Sequence, residues 1–178
     1  MNTQINIVEN GTTTLATAGK YCDRNIDVNV NIPSDAALVN SIIDKTISGE
    51  YVNDAVTEVG SYALAYSGVE SVAFPNATKI NQGAFQNCTS LKRAEFTNLG
   101  SSTGIYANVF KNCSGLETVI IRGTVVGRLA GANAFDGSSI ASKTGFIYVP
   151  DNLVDSYKTA TNWSTHASQI KSLSELEE

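Results

Sequence analysis

One histidine and three scattered cysteines are all that 178 residues provide for metal or nucleophile chemistry. A zinc site takes about four ligands at short spacings. His166 with Cys22, Cys88 and Cys113 forms no such set, so no metal and no cofactor are expected. Catalysis needs convergent acid, base or nucleophile groups. The lone His166 lies in a polar C-terminal stretch, where it reads as a surface or capping residue. No Gly-x-Ser-x-Gly elbow, phosphate-cradling glycine loop or paired-histidine motif occurs. Basic residues never cluster beyond the pair Lys92-Arg93, and the net charge is −5. Binding to a phosphate backbone requires a basic stripe, which argues against a nucleic-acid partner. No apolar run approaches the roughly 20 residues of a membrane span. The opening Met-Asn-Thr-Gln-Ile-Asn-Ile has neither basic residues nor an apolar core, so no signal peptide is expected. The few cysteines suit a reducing compartment, with Cys88 and Cys113 as buried small residues.

What the chain does contain is a repeated sentence. Ile80-Asn-Gln-Gly-Ala-Phe-Gln-Asn-Cys-Thr-Ser-Leu-Lys-Arg-Ala-Glu-Phe96 returns as Ile105-Tyr-Ala-Asn-Val-Phe-Lys-Asn-Cys-Ser-Gly-Leu-Glu-Thr-Val-Ile-Ile121. Looser copies flank the pair, and the anchors Leu64, Phe85, Phe110 and Phe135 stand 21, 25 and 25 residues apart. A period of this length means stacked units, none of which buries its apolar face alone. The fold class expected is an α/β-type, strand-rich solenoid of about four repeats, with an N-terminal β meander and helical caps. The repeat core is assigned to Leu64, Phe85, Cys88, Leu91, Phe110, Cys113, Leu116 and Phe135. Each unit places one short strand, with Val69, Val72 and Phe74, then Leu91, Ala94 and Phe96, then Leu116, Val119 and Ile121 pointing inward. Val59, Ile80 and Ile105 form a second column, which Ala130 continues. Asn87 and Asn112 are expected to bind backbone groups at the turns. The glycine-rich segments at 100–104 and 123–127 are expected to bulge outward, the second as a mobile loop.

Four segments follow. Residues 1–33 are a meander and possible assembly module: Ile5 and Ile7 lead to the turn at Asn10-Gly11, Thr12 to Leu15 return, and residues 25–32 alternate apolar and polar without a miss. Residues 34–58 are a helix over 36–45 and then a hairpin. Residues 59–150 hold the repeats. Residues 151–178 form a C-terminal cap, in which Asp151 N-caps a helix to about Ala160. Leu153, Val154 and Tyr157 turn inward there, Trp163 and Ile170 cover the last repeat, and the acidic end frays.

The pattern Ile-x-x-x-Ala-Phe-x-x-Cys-x-x-Leu-x-x-Val-x-Phe resembles the BspA-like leucine-rich repeat, also called the Treponema pallidum type. The resemblance covers roughly residues 56 to 150, with Ser67 and Ser138 replacing Cys in the outer units. The ends resemble a narrower group. Glu9-Asn10-Gly11-Thr12, Ala18 to Asp23 and Asp27-Val28-Asn29-Val30 look like the opening of prophage-encoded tail or baseplate-associated proteins. Ile147 to Asp151 with Tyr157, Asn162-Trp163 and Ile170 looks like the C-cap of such repeat proteins. The resemblance implies a virion component or a surface adhesin, and it transfers no catalytic residue.

The expectation is therefore a non-enzymatic binding module, located on a virion tail or alternatively on a bacterial cell surface. Its partner would be a protein or glycan of a cell surface, or another virion protein. A polysaccharide-active enzyme is the third reading, for which a carboxylate cleft would be required. The contact surface is assigned to the outward row Arg93, Glu95, Thr118, Ile120 and Arg122. The apolar face of residues 25–32 needs a cover, which suggests a homo-oligomer, a trimer, built through residues 1–33.

Overall fold

A computed structural model describes residues 4–9, 12–17 and 47–176. The chain divides into two compact units, Met1–Ser34 and Asp35–Glu178. In the first, β1 (Gln4–Glu9) and β2 (Thr12–Thr17) pair antiparallel, with Glu9 opposite Thr12 and Gln4 opposite Thr17. This is the strand and return that the sequence suggested. The expected strand at 25–32 and helix at 36–45 lie outside the described residues, as does Cys22.

The described part of the second unit is built from short strands: β3 (Ser48–Val52), β4 (Glu58–Val59), β5 (Gly68–Phe74), β6 (Lys79–Ile80), β7 (Arg93–Phe96), β8 (Gly104–Ile105), β9 (Thr118–Ile121), β10 (Phe146–Val149) and β11 (Ile170–Ser172). Its one α-helix, α1 (Val154–Thr159), is short. Six strands make a parallel sheet in the order β11-β10-β9-β7-β5-β3, and three make a second parallel sheet in the order β4-β6-β8. Parallel sheets with so little helix fit a repeat solenoid.

The sequence period explains this layout. In each unit the chain passes from the small sheet through a tight turn to the large sheet. The turns are joined to one another by backbone bonds: Leu64 N–H donates to Ala84 O (2.8 Å), Phe85 N–H to Val109 O (3.0 Å) and Phe110 N–H to Ala134 O (2.8 Å). The small residues Ala84, Val109 and Ala134 permit that approach. Every expected core position is buried, and so are the inward triplets on β5, β7 and β9 and their preceding leucines. Rings fill the middle. Phe85, Phe110 and Phe135 stack with centroids 5.4 Å apart at each step, Phe74 and Phe96 lie alongside, and Trp163 closes the row on Phe135 at 6.2 Å. The Cys slot is also filled consistently, by Ser67, Cys88, Cys113 and Ser138, all buried. Each thiol donates to a carbonyl one unit back, Cys88 Sγ to Leu64 O (2.9 Å) and Cys113 Sγ to Phe85 O (3.0 Å). A small side chain with a weak donor suits that position.

Several expectations are corrected. Residues 47–59 form no hairpin. β3 joins the large sheet beside β5 and Tyr51 packs on Phe74 at 5.8 Å, while β4 starts the small sheet. The stacking therefore begins before residue 59, because Tyr51 supplies an apolar anchor that the looser spacing concealed. The column of Val59, Ile80 and Ile105 continues through Leu129, which bridges to Ile105, not through Ala130. The side chains of Asn87 and Asn112 pair with one another and not with backbone groups. Both residues sit at φ of 61° and 59°, in the left-handed region that Asn tolerates, and Asn112 Nδ2 donates to Asn87 Oδ1 at 2.9 Å. The glycine-rich segment does not bulge freely at 127. Gly127 N–H donates to the Tyr157 hydroxyl (2.8 Å), and its carbonyl accepts from Trp163 Nε1 (2.7 Å). At 100–104 the Gly104 backbone is buried against Arg128.

The C-terminal cap contains Tyr157, Trp163 and Ile170 as buried residues, with Leu153 and Val154 packed against the core. Ile170 does more than cover, since it opens β11. Asp151 is not the N-cap of α1: its carboxylate accepts from the Ser172 hydroxyl and from Ser174 N–H (3.3 Å), which ties the helical turn to the end of β11. The acidic end is anchored at Glu175, which forms a capping box with Ser172. His166 lies in this cap but is buried, edge-on to Phe135 at 5.1 Å, and its Nε2 has no hydrogen-bond partner.

Candidate functional site

The outward face of the large sheet is set by strand alternation. Where Ala94 and Phe96 point in, Arg93 and Glu95 point out, and parallel register repeats this from strand to strand. One row runs Ser71, Arg93, Thr118, Phe146, and the next runs Ala73, Glu95, Ile120, Tyr148, Lys171. Arg122 follows directly after β9. The five residues expected as a contact surface are therefore brought onto neighbouring strands.

At the centre of this face is a three-residue ion cluster. Glu95 Oε2 accepts from Arg93 Nη2 (2.9 Å), and Oε1 accepts from Arg122 Nε (2.6 Å). Burial pushes the Glu95 carboxyl up, but the hydrogen bonds from Arg122 and Arg93 outweigh it and hold the group below the usual glutamate value. Two guanidinium groups against one carboxylate leave a net positive charge. The arrangement also holds the long side chains in defined positions, which reduces what a partner must order on binding.

Ile120 departs from the expectation. It is fully buried, although it stands outside the internal apolar cluster. Its in-register neighbours are Glu95 on one side and Tyr148 on the other. Buried between these two neighbouring strands, Ile120 is no exposed contact. Thr118 and the two arginines remain at least partly accessible.

Sequence reasoning missed Phe146, Tyr148 and Lys171 at the C-terminal side of the same face. The two rings stand 6.5 Å apart, and Lys171 Nζ lies 4.1 Å from the Phe146 centroid. The signal was in the alternation of Phe146-Ile147-Tyr148-Val149: once Ile147 and Val149 are inward, the aromatics must face out. The result is a guanidinium–carboxylate cluster adjoining an aromatic patch, a composition typical of protein contact surfaces. Among the described residues no group of three metal-ligating side chains comes together, and no helix is long and apolar enough to cross a membrane.

Comparison with known proteins adds the last element. The BspA type leucine rich repeat region matches residues 29–142, in six copies. No curated protein matches the chain. The matched region covers more than half of the sequence and contains strands β3 to β9, the Phe column and the Cys slot, so the chain belongs to the BspA type leucine-rich-repeat family.

Proposed function

We propose that this chain is a non-catalytic binding module that engages a protein partner through the outer face of its large sheet, as a receptor-binding or adhesion component of a phage or prophage tail. Leucine-rich repeats are typically non-enzymatic and generally mediate protein–protein interactions, which supports the first half. The observation that carries it is the Arg93–Glu95–Arg122 cluster beside Phe146 and Tyr148. The tail assignment is supported by the resemblance of residues 9–12, 18–23 and 27–30 to the opening of tail and baseplate-associated proteins. A bacterial surface adhesin is the alternative that the same family supports.

Charge reversal tests the binding face. Arg93→Glu with Arg122→Glu should abolish binding of the labelled protein to receptor-bearing cells while the circular dichroism spectrum stays unchanged. Unchanged binding would remove this face from the proposal. Immunogold microscopy tests the location: label on tails of induced particles supports a virion component, and label confined to uninduced cells assigns an adhesin. We propose further that residues 1–33 assemble the protein as a homo-oligomer, a trimer. Light scattering should give three chains for the full length and one after deletion of those residues, whereas a full-length monomer at micromolar concentration would refute assembly.

A further inference from the structure

The outer side of the small sheet presents a second row of charged residues. Val59, Ile80, Ile105 and Leu129 are the buried residues of this wall, so Glu58, Lys79, Gly104 and Arg128, one position before each, fall on its outer side. Register joins Glu58 to Lys79 and Lys79 to Gly104, and the bridge of Ile105 to Leu129 continues the row to Arg128. Gly104 leaves this row without a side chain at its centre. It stands at φ of 60°, and a Cβ there would collide with the Arg128 backbone, so the position suits glycine. Tyr106, two positions on, falls on the same side and brings one ring to both neighbours. Lys79 Nζ and Arg128 Cζ each lie 5.4 Å from its centroid, within the reach of a cation–π contact.

The two cations differ in what else they hold. Lys79 Nζ donates to Glu58 Oε1 at 2.8 Å, and the same oxygen accepts from Asn81 Nδ2 at 2.6 Å, so the Lys79 charge is balanced. Arg128 is exposed, and among the described residues its side chain has the Tyr106 ring as its one partner. Its charge is therefore unmatched, and it carries five N–H donors in a planar fork. A guanidinium stacked on a ring keeps those donors at its edge, where a carboxylate can accept two of them side by side. The ring also restricts the positions that this long side chain samples, which lowers the entropy lost on binding. Arg93 and Arg122, by contrast, both already bond a carboxylate, that of Glu95.

We propose that Arg128, positioned by Tyr106, binds one carboxylate of an acidic peptide segment of a protein partner. One unmatched cation fits one anion. A polyanion laid along the row would bring further negative groups toward Glu58, since neighbouring strands are only about 4.8 Å apart. A lone Asp or Glu in a peptide meets no such repulsion. The site belongs to the small sheet and shares no residue with the Arg93–Glu95–Arg122 cluster of the large one. This inference stands independently of the sheet-face reading.

The test follows the arginine Nε–Hε resonances of the nitrogen-labelled full chain by nuclear magnetic resonance. The probe is the end-capped peptide Gly-Ser-Asp-Ser-Gly, with Gly-Ser-Asn-Ser-Gly as the neutral control and polygalacturonate as the polyanion. Arg128→Lys identifies the Arg128 signal by its loss. That signal should shift to saturation with the Asp peptide and stay in place with the Asn peptide, while those of Arg93 and Arg122 move little. Tyr106→Leu should raise the dissociation constant about two- to fivefold, the weight of one exposed cation–π contact. Tyr106→Phe keeps the ring and should bind close to the wild type, which separates positioning of the guanidinium from a general effect on folding. Arg93→Glu with Arg122→Glu should leave the Arg128 response intact, so failure here is distinguishable from failure of the sheet face. No shift of the Arg128 signal, equal shifts of all three arginines, or an equal response to the Asn peptide would overturn the proposal. So would a response to polygalacturonate alone, unchanged binding by Tyr106→Leu, or loss of the response in the double variant.

Discussion

Removing the ring of Phe110 should open the core where stacking is densest. The side chain is fully buried, lies between Phe85 and Phe135 with both centroids at 5.4 Å and near-parallel planes, and touches Phe96 at 6.2 Å. Phe→Ala at such a site loses the transfer free energy of the ring and leaves a cavity, together about 3–5 kcal/mol. The upper part of that range is expected, because two stacked ring contacts disappear at once and the inter-unit bonds Phe85 N–H to Val109 O and Phe110 N–H to Ala134 O hold the walls apart. For a chain of this size each kcal/mol moves the melting temperature by about 2–4 °C, so a fall on the order of 10 °C should appear. The assay is paired urea and thermal melts followed by far-ultraviolet circular dichroism and by the fluorescence of Trp163, the one tryptophan. Trp163 contacts Phe135, which contacts Phe110. In stacked units stability passes between nearest neighbours, so the fluorescence transition should move at least as far as the dichroism transition. Leu64→Ala, in the first described turn, should cost less. A loss for Phe110→Ala under about 1 kcal/mol, or one no larger than that of Leu64→Ala, would refute the assignment of Phe110 as the anchor on which the units stack.

Cys88 and Cys113 should react with a thiol reagent only as the protein unfolds, because burial raises both thiols above their ordinary value and each is committed to a carbonyl; rapid labelling of either in the native state would contradict the buried slot. Burial holds His166 below the usual histidine value, with a backbone bond at Ala132 and the Asp136 charge opposing. A lowered folded value means that its stability contribution is complete above the unfolded value and is lost as pH falls through the folded one. Melting temperature should therefore drop on acidification below about pH 6.5, and His166→Gln should flatten the drop; an identical profile would exclude His166 as its source. Glu95 follows the same sign at lower pH: the stability difference between the wild type and Glu95→Gln should be present at neutral pH and vanish as the carboxylate protonates, and a difference that persists unchanged at pH 2 would show that the arginine bonds are not its cause.

Much of the stacking was legible in the sequence because the period states it. The spacing of Leu64, Phe85, Phe110 and Phe135 requires units that bury one another, and the triplets at 69–74, 91–96 and 116–121 follow from strand alternation once a core exists. Inward and outward were therefore readable wherever the repeat was regular. Where it loosened, the reading failed for an identifiable reason. Tyr51 and Ile170 anchor strands at the two ends of the large sheet, but each stands alone in its segment and sends no periodic signal. Ile120 is outward by alternation, as the sequence says, yet buried. Its burial is decided in the assembled sheet, where its in-register neighbours Glu95 and Tyr148 come from strands 25 and 28 positions away.

The functional residues divide along the same line. Sequence alone determined that the chain would stack, which side chains would form its centre, and that Arg93, Glu95 and Thr118 would share an outer face. Only the tertiary structure decided that Glu95 bridges two arginines, that Phe146, Tyr148 and Lys171 extend that face, that Gly127 is clamped by Tyr157 and Trp163, and that Tyr106 brings one ring to both Lys79 and Arg128. Periodicity is a local property that a string of residues carries in itself. Side-chain cover, ion pairing and backbone handedness arise when separate units come into register, and they exist only after the chain has stacked.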